Sequence, residues 1–156
     1  MDSSIFQVFA RDGWRIPAGV SPDPSANAVA LARDVNRVVL ASATPLAPPT
    51  GRYNCHGLVF ASRRAHIPPV ETDVDIDEVL ARDGYQRVRN GDPQVGDVVA
   101  YRLEDEIEHT GFVSRVERVS TAPVVFVWSA WGGLGEFEHR VQASPYRGAP
   151  EYWRLK

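Results

Sequence analysis

From Gly91 onward the pattern changes to short runs rich in valine and aromatic residues, separated by short, turn-like breaks. Runs of this kind suit strands, so this half of the chain reads as an antiparallel meander. Gly96-Asp97 makes a turn before a strand from Val98 to Leu103. The acidic loop Glu104 to Glu108 leads into a second strand, His109 to Val119. A third runs from Val124 to Ser129, and Gly132, Gly133 and Gly135 form the turn before a fourth, Glu136 to Val141. Tyr152 to Leu155 adds a final edge strand.

The first half has other punctuation. Ile5 to Phe9 reads as a short edge strand, and Pro17, Gly19, Pro22 and Pro24 mark an irregular connection. Ser25 opens a helix through about Leu40, with Ala28, Leu31, Ala32, Val35 and Val38 at helical spacing. Thr44 to Gly51 is dense in proline and reads as a loop. Asn54 is a good N-cap for a helix running from Cys55 to Arg64, with Pro68 and Pro69 beyond it as the stop. A second short helix fits Ile76 to Arg82, closed by Gly84. Helices first and an antiparallel meander afterwards is an α+β arrangement. The 156 residues suit one domain, 1–156, with a helical and irregular part over 1–50 and a functional core over 51–156.

Composition narrows the function classes. Seventeen basic against twenty acidic residues gives a net charge of -3, which is no electrostatic footprint for nucleic acid. No apolar run is long enough for a membrane helix. Met1-Asp2-Ser3-Ser4 lacks the basic start of a secretory signal, so the expected location is the cytoplasm, or outside by a signal-independent route. One cysteine excludes an internal disulfide and a cysteine-rich zinc site. No histidine pair sits at ligand spacing with a carboxylate, and Gly132-Gly133-Leu134-Gly135 lacks the Lys-Ser/Thr of a phosphate loop. No metal or cofactor is therefore expected.

The lone thiol is the reactive group that remains. Cys55 falls in the first turn of its helix, where free backbone N–H groups favour an anion and can donate to an oxyanion. Gly57 leaves room for close substrate approach. A buried, inert cysteine is the other reading of the same position. A nucleophilic thiol needs a base. His56 adjoins Cys55 in sequence, but successive helical residues do not face each other. His66 falls at the far end of the helix as a charge partner for its C-terminus. His139, between Glu138 and Arg140, is expected to face solvent. His109, entering a strand before Gly111-Phe112-Val113, is the candidate base.

Three segments together resemble the NlpC-type papain-like cysteine peptidase and amidase superfamily, with its CHAP-like relatives. Tyr53-Asn54-Cys55-His56-Gly57-Leu58-Val59 is similar to its nucleophile motif. Val95-Gly96-Asp97-Val98-Val99-Ala100-Tyr101 resembles its Gly-Asp strand, and Glu108-His109-Thr110-Gly111-Phe112-Val113 its base-bearing strand. The segments keep the family's order over about residues 51 to 141. The departures are His56 in the place of a usual Ser, Thr110 for a common Val, and Ala43-Thr44 where many members carry a tyrosine segment upstream of the thiol.

The resemblance implies helices packed on an antiparallel sheet, with Cys55 as nucleophile and His109 as base of a thioester mechanism on an amide or peptide bond. The third member, a polar residue orienting the imidazole, is expected on the next strand. There Ser129 is the hydrogen-bonding candidate, with His139 or Glu138 as alternatives. Tyr53 and Trp131 are candidate substrate contacts. The implied substrates are peptides such as those of cell walls. Members also act as toxins and effectors, for which a cognate inhibitor or immunity protein is a partner. Deamidation, transglutamination or acyl transfer on the same fold, or a non-catalytic binding module, are the alternatives. The Glu104 to Glu108 run is expected to raise the imidazolium population of His109.

Overall fold

A computed structural model of the chain describes residues 7–68, 73–89, 91–119 and 121–156. Strands β1 (Val8–Phe9) and β2 (Arg15–Ile16) form a small antiparallel ladder. Helices α1 (Ala26–Val35) and α2 (Arg37–Leu40) follow, then β3 (Thr44–Ala47), α3 (Cys55–Phe60), α4 (Ile76–Arg82) and β4 (Tyr85–Arg87). The remaining strands are β5 (Val98–Leu103), β6 (Glu106–Val119), β7 (Ala122–Ala130), β8 (Glu136–Arg140) and β9 (Ala149–Leu155). Seven of these strands make one antiparallel sheet in the order β3-β8-β7-β6-β5-β9-β4. The fold is mixed, with a large antiparallel sheet and few helices. The helices do not simply come first, because β1 and β2 precede α1 and β3 falls between α2 and α3.

Four local expectations are corrected. Thr44–Ala47 is a strand: it lies at the sheet edge against β8, where only one side needs ladder donors, so Pro45 is tolerated. Tyr152 to Leu155 belongs to β9, which is an interior strand between β5 and β4. The helix begun by Ser25, whose side chain accepts from the Ala28 N–H, breaks at Asn36, which turns its amide onto the Ala32 carbonyl at 2.8 Å. Leu31, Val35 and Val38 stay exposed there, while Ala32, Val39 and Leu40 pack on Trp131, Leu134 and Phe137.

The fourth correction concerns the thiol's own helix. α3 stops at Phe60, well before Arg64, and Ser62 and Arg63 take left-handed φ of 48° and 63°. The helix cannot continue because Asn54 ties both ends of this turn together. Its Oδ1 accepts from Gly57 N at 2.8 Å and Ile67 N at 3.1 Å, and its amide donates to Ile67 O at 2.9 Å. Pro69 and the first part of the Ile5–Phe9 strand lie outside the described residues.

The core divides between the two faces of the sheet. Val98, Ala100 and Ile107 pack with Leu80, Val79, Ala61 and Ile67 from the α3–α4 side. Val99, Tyr101, Val113, Val127 and Val141 cluster separately. The alternation of each strand produces this partition.

Candidate active site

Asn54 caps α3 as its sequence position predicts, and Cys55 follows in the first turn, buried. Burial pushes the thiol up to about 11, against the opposing pull of the Thr110 and His56 backbone N–H groups and its own. Beside it, His56 Nδ1 meets Thr110 Oγ1 at 2.8 Å, and burial pushes that imidazole down to about 4. The space at Gly57 serves the fold rather than a substrate: an added Cβ would sit 1.7 Å from the Ala65 carbonyl oxygen. His66 is likewise no helix-end charge partner, since α3 ends six residues earlier and His66 bridges to Gly19 instead.

His109 is the residue before Thr110, and its side chain is on the other face of the strand. Cross-strand partners share a face, and His109 pairs with Tyr101 in β5 while Thr110 pairs with Ala100. His109 is 0% exposed, and neither ring nitrogen has a hydrogen-bond partner. Its plane is set by aromatic contacts. Tyr146 stacks on it with centroids 3.8 Å apart, and Tyr101 tilts against it at 5.5 Å. Burial drives its pKa well below the ordinary imidazole value, with His56 and His139 adding repulsion. The acidic run before it has no such influence, so the expected rise in imidazolium population is not found. The thiol is close enough to Tyr146 that its charge would raise the phenol's pKa, secondary to burial. No hydrogen bond joins the Cys55 sulfur to the His109 ring, and the residue between them in the packing is Thr110, whose hydroxyl meets His56.

Ser129 is brought to a different histidine. Its Oγ lies 2.8 Å from His139 Nε2 and accepts from Trp131 Nε1 at 2.9 Å. His139 Nδ1 faces the Arg140 carbonyl at 2.8 Å, so Nδ1 carries the proton and the Ser129 hydroxyl donates to Nε2. All three side chains are buried, which corrects the expectation that His139 faces solvent. Trp131 is 2% exposed and stacks on Phe137 in the core. Glu138, on the opposite face from His139, accepts from Ser114 and Arg115.

Tyr53 belongs to a network that the sequence did not reveal. Its hydroxyl donates to Glu136 Oε1 at 2.5 Å. The same buried carboxylate accepts from Arg63 Nε at 2.6 Å and Trp128 Nε1 at 2.6 Å, and Arg63 lies over the Trp128 ring at 4.7 Å. Desolvation works against the Glu136 charge, but these donors outweigh it and hold the carboxyl below its usual range. The left-handed turn at Ser62-Arg63 is what brings the guanidinium there. An acid opening a strand after a glycine turn was the one local signal for Glu136. Tyr146 had none.

No family model, curated protein or solved structure matches the chain. Among the described residues, no group of three or more His, Cys, Asp or Glu is placed to hold a metal ion, and no helix is long and apolar enough to cross a membrane.

Proposed function

We propose that the chain is a papain-like thiol hydrolase of the NlpC kind, acting on an amide or peptide bond. One observation carries this: Cys55 is buried in the first turn of α3, its neighbour His56 meets Thr110 Oγ1 on β6 at 2.8 Å, and the residue before Thr110 is a buried imidazole with both nitrogens unpartnered. An unsatisfied buried polar group costs about 1–3 kcal/mol, so a fold that keeps one invites a functional explanation. In this mechanism His109 takes the thiol proton as the Cys55 sulfur bonds to the carbonyl carbon. The backbone N–H groups at the sulfur hold the oxyanion. The proton passes to the amine nitrogen as the C–N bond breaks. Water then gives a proton to His109, attacks the thioester and releases the acid, and the sulfur regains its proton.

Ser129 is committed to His139 and Trp131, so the ring of His109 is steadied by Tyr101 and Tyr146. The proposed substrates are amide or isopeptide bonds of cell-wall-type peptides. In an effector role, an inhibitor protein would be the partner. Transfer to an amine or deamidation would use the same thioester.

The test is digestion of a muropeptide and peptide panel, read by mass spectrometry, with Cys55→Ala and His109→Gln as controls. Cleavage lost in both variants supports the proposal, and cleavage retained in Cys55→Ala ends it. A second reading is a non-catalytic binding module. It is favoured by the resting protonation of the pair, with the thiol pushed up to about 11 and the imidazole pushed down. That module would bind a peptide from the panel without cutting it.

A further inference from the structure

If Cys55 and His109 form the working pair proposed above, something must hold them apart at rest, because the ring has no hydrogen bond and the sulfur lies beyond its reach. Tyr146 is placed to do so. Its ring lies 8° from parallel with the His109 ring, and it is itself only half-buried, so it forms the outer cover of a wholly buried imidazole. It rides on residues 141–148, the irregular connection from β8 to β9.

That connection is fastened at its two ends. Val141 donates to Val125 O at 2.9 Å, and its carbonyl accepts from the Tyr101 hydroxyl at 2.8 Å. At the other end Gly148, with φ of 113°, lies so close to Arg102 that an added Cβ would be 2.7 Å from its carbonyl oxygen. Between these anchors the bonds are local: Ala143 N to Arg140 O and Tyr146 N to Ser144 Oγ. The segment has the construction of a strap, its backbone fixed at both ends and its middle held by the Tyr146 side chain, which also packs on Trp131, Leu134 and Phe137.

We propose that Tyr146 is a gate on His109. Stacked, it keeps water and any reacting atom off the ring, and swung out on the 142–147 strap it opens the ring to the Cys55 thiol and a substrate. The titratable groups against the His109 ring are Tyr101 from β5 and Tyr146 itself, and His139 from β8 and, from across the strand, His56 of α3 add electrostatic repulsion. Glu108, next along the strand, is exposed. Both tyrosines and the thiol ordinarily titrate above neutral pH and burial pushes them higher, so no anion among them stabilises an imidazolium while the gate is shut.

The experiment uses the full chain as wild type, Tyr146→Phe, Tyr146→Leu and Tyr146→Ala, with near-UV circular dichroism to establish that each is folded. His109 is followed by imidazole C–H resonances against pH, assigned by their loss in His109→Gln. Cys55 is followed by iodoacetamide labelling at neutral pH. Wild type and Tyr146→Phe, which retains the stack, should show no His109 titration near 6.5, the ordinary value. Tyr146→Ala and Tyr146→Leu should bring that titration back and label Cys55 about tenfold faster or more, as thiol and base become accessible. A silent His109 in both small variants, or a Phe variant that behaves like Ala, overturns the gate. Should His109 titrate in Tyr146→Ala while labelling is equally fast in Tyr146→Ala/His109→Gln, the gate stands and the assignment of His109 as the base of Cys55 falls.

Discussion

The ring of Tyr146 lies flat against the ring of His109, with centroids 3.8 Å apart and planes 8° from parallel. An imidazole held this way is neutral and dry, and neither nitrogen is engaged. The histidine with a full set of hydrogen bonds is His139, whose Nε2 takes the Ser129 hydroxyl and whose Nδ1 donates to the Arg140 carbonyl. The two histidines share a sheet face, yet their surroundings prepare them for different work.

Ser129→Ala separates those roles. It strips a partner from His139 Nε2 and another from Trp131 Nε1, both buried, so stability should fall by about 2–4 kcal/mol. Urea unfolding measures this. The His109 resonances should stay where they are at neutral pH, because Ser129 makes no bond to that ring.

The buried histidines set a pH dependence of stability. His56, His109 and His139 all have folded pKa values below 6.5, chiefly through burial. Unfolded, each binds a proton as pH falls through about 6.5, whereas the folded ring does not until lower pH. Stability is therefore complete above 6.5 and declines as pH drops below it. For His56 the decline runs to about 4 and amounts to on the order of 3 kcal/mol. Urea midpoints from pH 7 to 4 should fall steadily, and His56→Gln should flatten part of that slope.

Glu136→Gln should destabilise by about 2–3 kcal/mol. It weakens the bonds from Tyr53, Arg63 and Trp128 and removes the charge facing Arg63, although the half-exposed guanidinium recovers some hydration. The Glu136 carboxyl is held below its usual value in the fold, so its contribution is present above the ordinary 4.5 and is lost as pH falls through the folded value. The measured loss in the variant should accordingly shrink in strong acid.

Gly57→Ala places a carbon 1.7 Å from the Ala65 carbonyl oxygen, where the backbone on both sides is tied to Asn54. A loss of about 3 kcal/mol is expected from such overpacking. Gly133→Ala, whose nearest neighbour would be 3.8 Å away, should change stability by no more than about 0.5 kcal/mol. Thermal unfolding of the pair makes the comparison.

The strands were the most legible part of the sequence. Val98–Leu103 has the expected bounds, and the following runs differ by a few residues, because alternation over a buried sheet leaves a direct trace in residue type. Ile76–Arg82 was equally readable, with Gly84 as its stop. β3 was hidden by Pro45, since proline signals a break locally while an edge position forgives it. β4 and the interior place of β9 depend on non-local pairing, which no window of sequence contains. At the site, the N-cap and the thiol's place in α3 were readable from Asn54-Cys55. The Ser129–His139 bond is set by register across strands, and the cover by Tyr146 by the path of the connection from β8 to β9. Neither leaves a mark in the neighbouring residues.

Covalent capture at Cys55 tests the central claim most directly. The chain is incubated with an activated acyl ester, and intact mass with peptide mapping follows the modified residue over time, in wild type and in His109→Gln. The account predicts an acyl group on Cys55 that forms and turns over in wild type, and that forms slowly and persists in the variant. A Cys55 that stays unmodified, or acylation and turnover indifferent to His109, would contradict it.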